Sequence, residues 1–159
     1  FFDTGIRVSE LIDLKLSQVK DEYILIHGKG DKERVVPKSP LLNKWMFKYL
    51  STRENFFAYR RVPENVFLSR NGRPMTTEAI HRVIKIAGKA VGVSRDIRVS
   101  PHTCRHTFAQ MQLKNGLDLY SLSRLMGHSN ISITQRYLEG LRDFEVLNAC
   151  KATGILMNL

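Results

Sequence analysis

The final third of the chain is cut into short helices by its own punctuation. Ser100 precedes Pro101, a pairing that puts a side-chain acceptor at an N-cap and a pre-set φ at the first helical position. Gly116 then stops the segment. Asp118 and Asn130 repeat the cap and Gly127 repeats the stop, so helices are expected to begin at Ser100, Asp118 and about Asn130. On these helices lie Pro101-His102-Thr103-Cys104-Arg105-His106, Gly127-His128-Ser129-Asn130 and Tyr137. His102 and Arg105 stand three apart and share a helix face. A guanidinium that grips two oxygens, beside an imidazole able to pass a proton near neutral pH, suits a phosphodiester better than a core.

Upstream, the patterning alternates. Val8 to Leu16 reads as a short helix, and Tyr23 to Ile26 and Arg34 to Val36 read as strands joined by Gly28-Lys29-Gly30-Asp31, a β-hairpin with a lysine at its turn. Pro40 to Leu50 has the helical period, Arg53 to Pro63 is less regular, and Val66-Phe67-Leu68 reads as a third short strand. After a turn at Asn71-Gly72-Arg73-Pro74, Thr76 or Thr77 caps a helix running to about Val91. The fold class is α+β, mainly helical with a small antiparallel sheet. No internal repeat or low-complexity linker interrupts it.

With 159 residues, 43% of them hydrophobic and 25% charged, the chain is long enough to bury one core. No apolar run approaches the roughly 18 residues a membrane span needs, and the start, Phe1-Phe2-Asp3-Thr4, lacks a secretory signal, so a cytoplasmic protein with no membrane partner is expected. Cys104 and Cys150 form neither a disulfide framework nor a Cys-x-x-Cys pair. Net charge is +10, and residues 53 to 105 hold 11 Lys/Arg against 4 Asp/Glu, a surplus of 7. A polyanion is the natural partner. The helix from Thr76 to Val91, with Arg82, Lys85 and Lys89, together with Thr77 and the preceding Arg70 and Arg73, offers candidate contacts for such a partner.

Two other motif readings fail on detail. His102 and His106 are four apart, as on a zinc-binding helix, but Thr103 occupies the position where a metalloprotease needs Glu. Gly28-Lys29-Gly30 has Gly in place of the Ser/Thr of a phosphate-binding loop, and Tyr23 stands where its first glycine belongs.

Five pieces in order give the chain a resemblance to the tyrosine recombinase family, the phage integrases and Xer-type recombinases, over nearly its whole length. They are Thr4-Gly5-Ile6-Arg7-Val8-Ser9-Glu10-Leu11, Gly28-Lys29-Gly30-Asp31-Lys32-Glu33-Arg34, the His102 to His106 box, Leu125-Met126-Gly127-His128-Ser129, and Tyr137 nine residues after His128. The resemblance implies the DNA breaking-rejoining fold and a site-specific strand transferase working without cofactor, metal or ATP. Tyr137 would attack the phosphorus to give a 3'-phosphotyrosyl intermediate and a free 5'-hydroxyl. Arg7 and Arg105 would hold the non-bridging oxygens, and Lys29, with Lys32 as its rival, would be the acid for the leaving oxygen. His102 would accept the proton of Tyr137, His128 would hydrogen-bond the phosphate, Glu10 would support Arg7, and His106 would be buried support.

By the same resemblance, residues 1–159 are an N-terminally truncated catalytic domain without the N-terminal core-binding domain. Its partner would be double-stranded DNA, bound as a homo-tetramer or, as an isolated fragment, as a monomer, and the parent element would be bacterial or phage, with phage, transposon and chromosomal origins all open. Leu138-Glu139-Gly140 follows the tyrosine where the family often has Thr-His. Residues 141 to 159 form either a tail helix for a neighbouring protomer or a segment packed on the chain's own core. A type IB topoisomerase and a catalytically inactive DNA-binding module are the alternative functions.

Overall fold

A computed structural model describes residues 1–28 and 33–138. The hairpin turn with Lys29 and Lys32, and everything after Leu138, including Cys150 and the expected tail helix, lie outside the described residues. The elements run α1 (Val8–Asp13), a 3₁₀ turn (Leu16–Gln18), β1 (Tyr23–His27), β2 (Glu33–Pro37), α2 (Pro40–Phe57), α3 (Thr77–Ala90), α4 (Pro101–Lys114), α5 (Leu119–Met126) and α6 (Ile131–Gln135). The two strands pair antiparallel, with Ile24 opposite Val36 and Ile26 opposite Arg34. The mainly helical class with one small sheet is as expected from sequence.

Capping decides most helix starts. Ser39, Thr76, Ser100, Asp118 and Asn130 each accept a hydrogen bond from the first turn they precede, satisfying donors that a helix start leaves orphaned. Thr76, and not Thr77, is the cap of α3. Gly127 ends α5 in the left-handed region at φ +65°.

Tertiary contacts shift two boundaries and remove one expected strand. The first helix stops at Asp13, three residues early, because Leu14 leaves helical geometry and its carbonyl pairs with the Val66 N–H at 2.8 Å. The helix begun at Pro40 continues through the less regular stretch to Phe57. There Arg53 turns inward and donates to the carbonyls of Pro63, Asn65 and Val66, and Phe57 is buried. Val66 to Leu68 is not a strand. Only isolated bridges, Lys15 to Asn65 and Leu68 to Pro74, flank it, and the turn at Gly72 reverses the chain before a ladder can form.

Two apolar clusters result. The larger gathers Ile6, Leu11 and Leu14 with the inner faces of β1 and β2 and with Met46, Val66 and Ile80. The smaller joins Phe108 and Ala109 of α4 to Leu122 and Met126 of α5 and to Tyr137. Gly5 sits where they meet. Its φ is +58°, and a Cβ there would lie 2.3 Å from Phe108 Cδ1. Gly5→Ala should therefore combine left-handed strain with overpacking and cost about 2–4 kcal/mol; urea unfolding checks this, and a loss below about 0.5 kcal/mol would contradict it.

Candidate active site

The buried stripe of α4 is Pro101, Cys104, Arg105, Phe108 and Ala109, helical spacing with an arginine in the middle. Arg105 is only 6% exposed. Its guanidinium donates to the carbonyls of Gly5 and Met126, the latter at 2.7 Å, and to His128 Nε2 at 3.1 Å. These three acceptors engage Nη1 and Nη2 without neutralising the charge. Burial, followed by repulsion from Arg7, lowers its pKa to about 10, which leaves it charged at neutral pH.

A guanidinium offers no acceptor, so His128 Nε2 must be the acceptor and its proton sits on Nδ1. Nδ1 donates to the fully buried Thr134 Oγ1 at 2.8 Å. Burial and the charges of Arg105, Arg7 and Arg34 bring the His128 pKa down to about 4, so the ring is neutral at pH 7. Gly127 orients it by turning the chain at the end of α5.

Arg7 caps α1, where its own N–H donates to Glu10 Oε2 at 2.7 Å and its Nη1 to Glu10 Oε1 at 2.8 Å. Its Nη2 donates to the Gly127 carbonyl at 2.9 Å. Burial would raise the Glu10 pKa, but hydrogen bonds from Arg34 and Arg7 prevail and bring it to about 2. Arg7 and Arg34 thus share the Glu10 carboxylate, and with Arg105 close by and His128 neutral these four ionised side chains sum to two positive charges. Arg7, Glu10, Arg34, Arg124, Gly127 and His128 line an open cleft of about 1270 Å³.

Tyr137 is 7% exposed within the smaller apolar cluster. Its ring lies parallel to that of His128 at 6.2 Å and edge-on to that of His106 at 5.1 Å. His102 is exposed near the start of α4, and the described ring contacts of Tyr137 are with His106 and His128. His106 is half-buried, not buried, because it stands at the margin of the α4 stripe. Arg7, Glu10, Arg105, His128 and Tyr137 are therefore gathered at one place.

Arg34 and Thr134 escaped the sequence reading. The signal for Arg34 was present, since strand alternation puts it on the face of the buried Val36, where a charge demands a partner. Arg70, Arg73, Thr77, Arg82, Lys85 and Lys89 are all exposed on α3 and the turn before it. Lys85 and Lys89 also line a groove of about 620 Å³ with His81, Arg95 and Arg98. Among the described residues no trio of His, Cys, Asp or Glu gathers as a metal site, and no helix is long and apolar enough to cross a membrane.

Residues 1–142 match the Phage integrase family. The chain belongs to this family of tyrosine recombinases. Tyrosine recombinase XerD of Lacticaseibacillus casei is 41% identical over 138 residues, which cover 86% of this chain and 46% of that protein. The chain thus spans about half the length of the curated relatives it matches. The crystal structure of XerA recombinase superposes with a TM-score of 0.81 at 32% identity, covering 95% of this chain and 54% of that one. XerH bound to palindromic difH substrate, a post-cleavage complex, shares the fold with a TM-score of 0.76 at 24% identity, over 98% and 43% of the two chains.

The depressed His128 fixes a pH dependence. Between about pH 6.5 and 4 the unfolded chain binds a proton at this residue that the folded chain refuses, so stability falls as pH drops through that window. Glu10 adds a further loss below about pH 4.5, worth about 3 kcal/mol when complete near pH 2. In His128→Gln, where an amide oxygen replaces the Nε2 acceptor, the urea midpoint should change less between pH 7 and pH 5 than in wild type. An unchanged difference would contradict the assignment.

Proposed function

We propose that this family member is the catalytic part of a site-specific DNA recombinase that cleaves and rejoins strands through a 3'-phosphotyrosyl intermediate. One observation carries the reading: a partly buried surplus of two positive charges beside a phenol stacked on a histidine. A phosphodiester brings one negative charge, and attack at phosphorus adds a second on the non-bridging oxygens. The surplus matches the transition state better than the ground state, and differential binding of this kind accelerates chemistry.

In this reading Tyr137 attacks phosphorus and the 5'-oxygen leaves with a proton from Lys29. Arg7 and Arg105 hold the non-bridging oxygens. Phosphate competes with His128 for the N–H groups of Arg105, and its negative charge favours protonation of the imidazole, which can then donate from Nε2. His102 takes the phenolic proton, with the DNA completing that part of the site. The covalent link retains the phosphodiester energy, so resealing onto another strand requires no ATP. Duplex DNA lies across α3, with Arg70, Arg73, Thr77, Arg82, Lys85 and Lys89 on its phosphates and groove edges. Assembly as a homo-oligomer on DNA rests on family membership alone.

The test uses a pool of nicked duplexes with a randomised core, from which protein-DNA adducts that survive denaturing detergent are isolated and sequenced. Wild type should yield an adduct at one nucleotide position, Tyr137→Phe none, and Arg105→Lys at least about 10²-fold less in a single turnover. No adduct from wild type, or an equal adduct from Tyr137→Phe, overturns the reading. Lys85→Ala and Lys89→Ala should each weaken duplex binding about equally for all sequences and lower the slope of log affinity against log salt by about 1. Fluorescence anisotropy at several salt concentrations checks this.

A further inference from the structure

Arg34 is held on three sides. It stands on the inner face of β2 opposite Ile26, and its side chain is 11% exposed. Its fork closes on Glu10 through Nη1 to Oε1 at 2.8 Å and Nη2 to Oε2 at 2.7 Å, while Nε donates to the Leu125 carbonyl at 2.8 Å. It also passes close over Gly127, where a Cβ would lie 2.9 Å from Nη1 and 3.1 Å from Cδ and Cζ. One side chain therefore touches the hairpin, the start of α1 and the end of α5.

Those segments carry Arg7 and His128, and Arg34 meets each indirectly. It clamps both oxygens of Glu10, to which Arg7 donates from its backbone and its side chain. It also braces Leu125 and Gly127, and the Gly127 carbonyl takes the second Arg7 bond. With its fork closed on Glu10, both Nη atoms of Arg34 are committed to that carboxylate. We propose that Arg34 is a positioning residue for strand cleavage, which through Glu10 and the Gly127 turn fixes Arg7 and His128 in register on one phosphate.

A bidentate fork specifies direction as well as distance, which a lysine cannot do. A misplacement of about 1 Å at a transition-state contact is enough to cost about 10²-fold in rate. Because the proposal rests on the strand-transfer reading, its test must separate the two. The discriminating probe is the selected nicked duplex made with either an ordinary scissile phosphodiester or a methylphosphonate, in which a methyl group replaces one non-bridging oxygen and removes the charge. A neutral centre needs little from Arg7. Variants that misplace Arg7 must therefore lose far more on the charged substrate than on the neutral one.

Arg34→Lys should slow single-turnover adduct formation at least about tenfold on the phosphodiester and less than about threefold on the methylphosphonate. Duplex affinity should stay within about twofold, and Arg7→Ala should show the same selectivity. Glu10→Gln, close in shape, should reproduce the pattern if Arg34→Lys proves unstable on heating. An active wild type with Arg34→Lys and Glu10→Gln slowed equally on both substrates, or on neither, overturns the assignment alone. A wild type that forms no adduct with either substrate overturns the strand-transfer reading and the assignment with it.

Discussion

Three guanidiniums near one carboxylate repel one another, and the fold must supply what keeps them together. Much of that work falls to backbone carbonyls. Gly5 and Met126 accept from Arg105, Leu125 from Arg34 and Gly127 from Arg7, and three of these four belong to the end of α5, the negative pole of its helix dipole. The carboxylate of Glu10 completes the set. Apolar packing on either side fixes the carbonyls in place, so the hydrophobic clusters and the charged cluster depend on each other.

This arrangement explains why the site is poised for an anion. Ion pairs that close on themselves leave little electrostatic demand, whereas Arg105 is held by two carbonyls and an imidazole and forms no ion pair among the described residues. Carbonyl dipoles hold a cation without neutralising it. The cost of keeping it buried is visible in the pKa values of Arg105 and His128, both lowered by burial first and by neighbouring guanidiniums second.

Much of this was legible in the sequence where chemistry is local. Caps and stops at Ser100, Asp118, Asn130 and Gly127 act within one turn, and the helices begin and end where those residues say. What stayed hidden was set at long range. Nothing near Arg53 announces that it will hold the 63–66 loop and carry α2 to Phe57, and nothing near Val66 shows that its N–H goes to Leu14 instead of a ladder. At the site, the family motifs singled out Arg7, Glu10, Arg105, His128 and Tyr137. Arg34 closes the hairpin motif and Thr134 lies outside all five pieces, and a motif does not show which side chains such residues will hold. The ring beside Tyr137 shows the same limit: the resemblance gives that place to His102 and a supporting role to His106, whereas the edge-on ring contact is with His106.

Gly127 brings several of these demands to one atom. It ends α5 in a left-handed turn, presents His128, offers its carbonyl to Arg7 and leaves open the space that Arg34 fills. Each role excludes a side chain or fixes the backbone for a different reason. A side chain at this position meets the left-handed turn and Arg34 in the same step, so one substitution acts on the helix stop and on the charged cluster together.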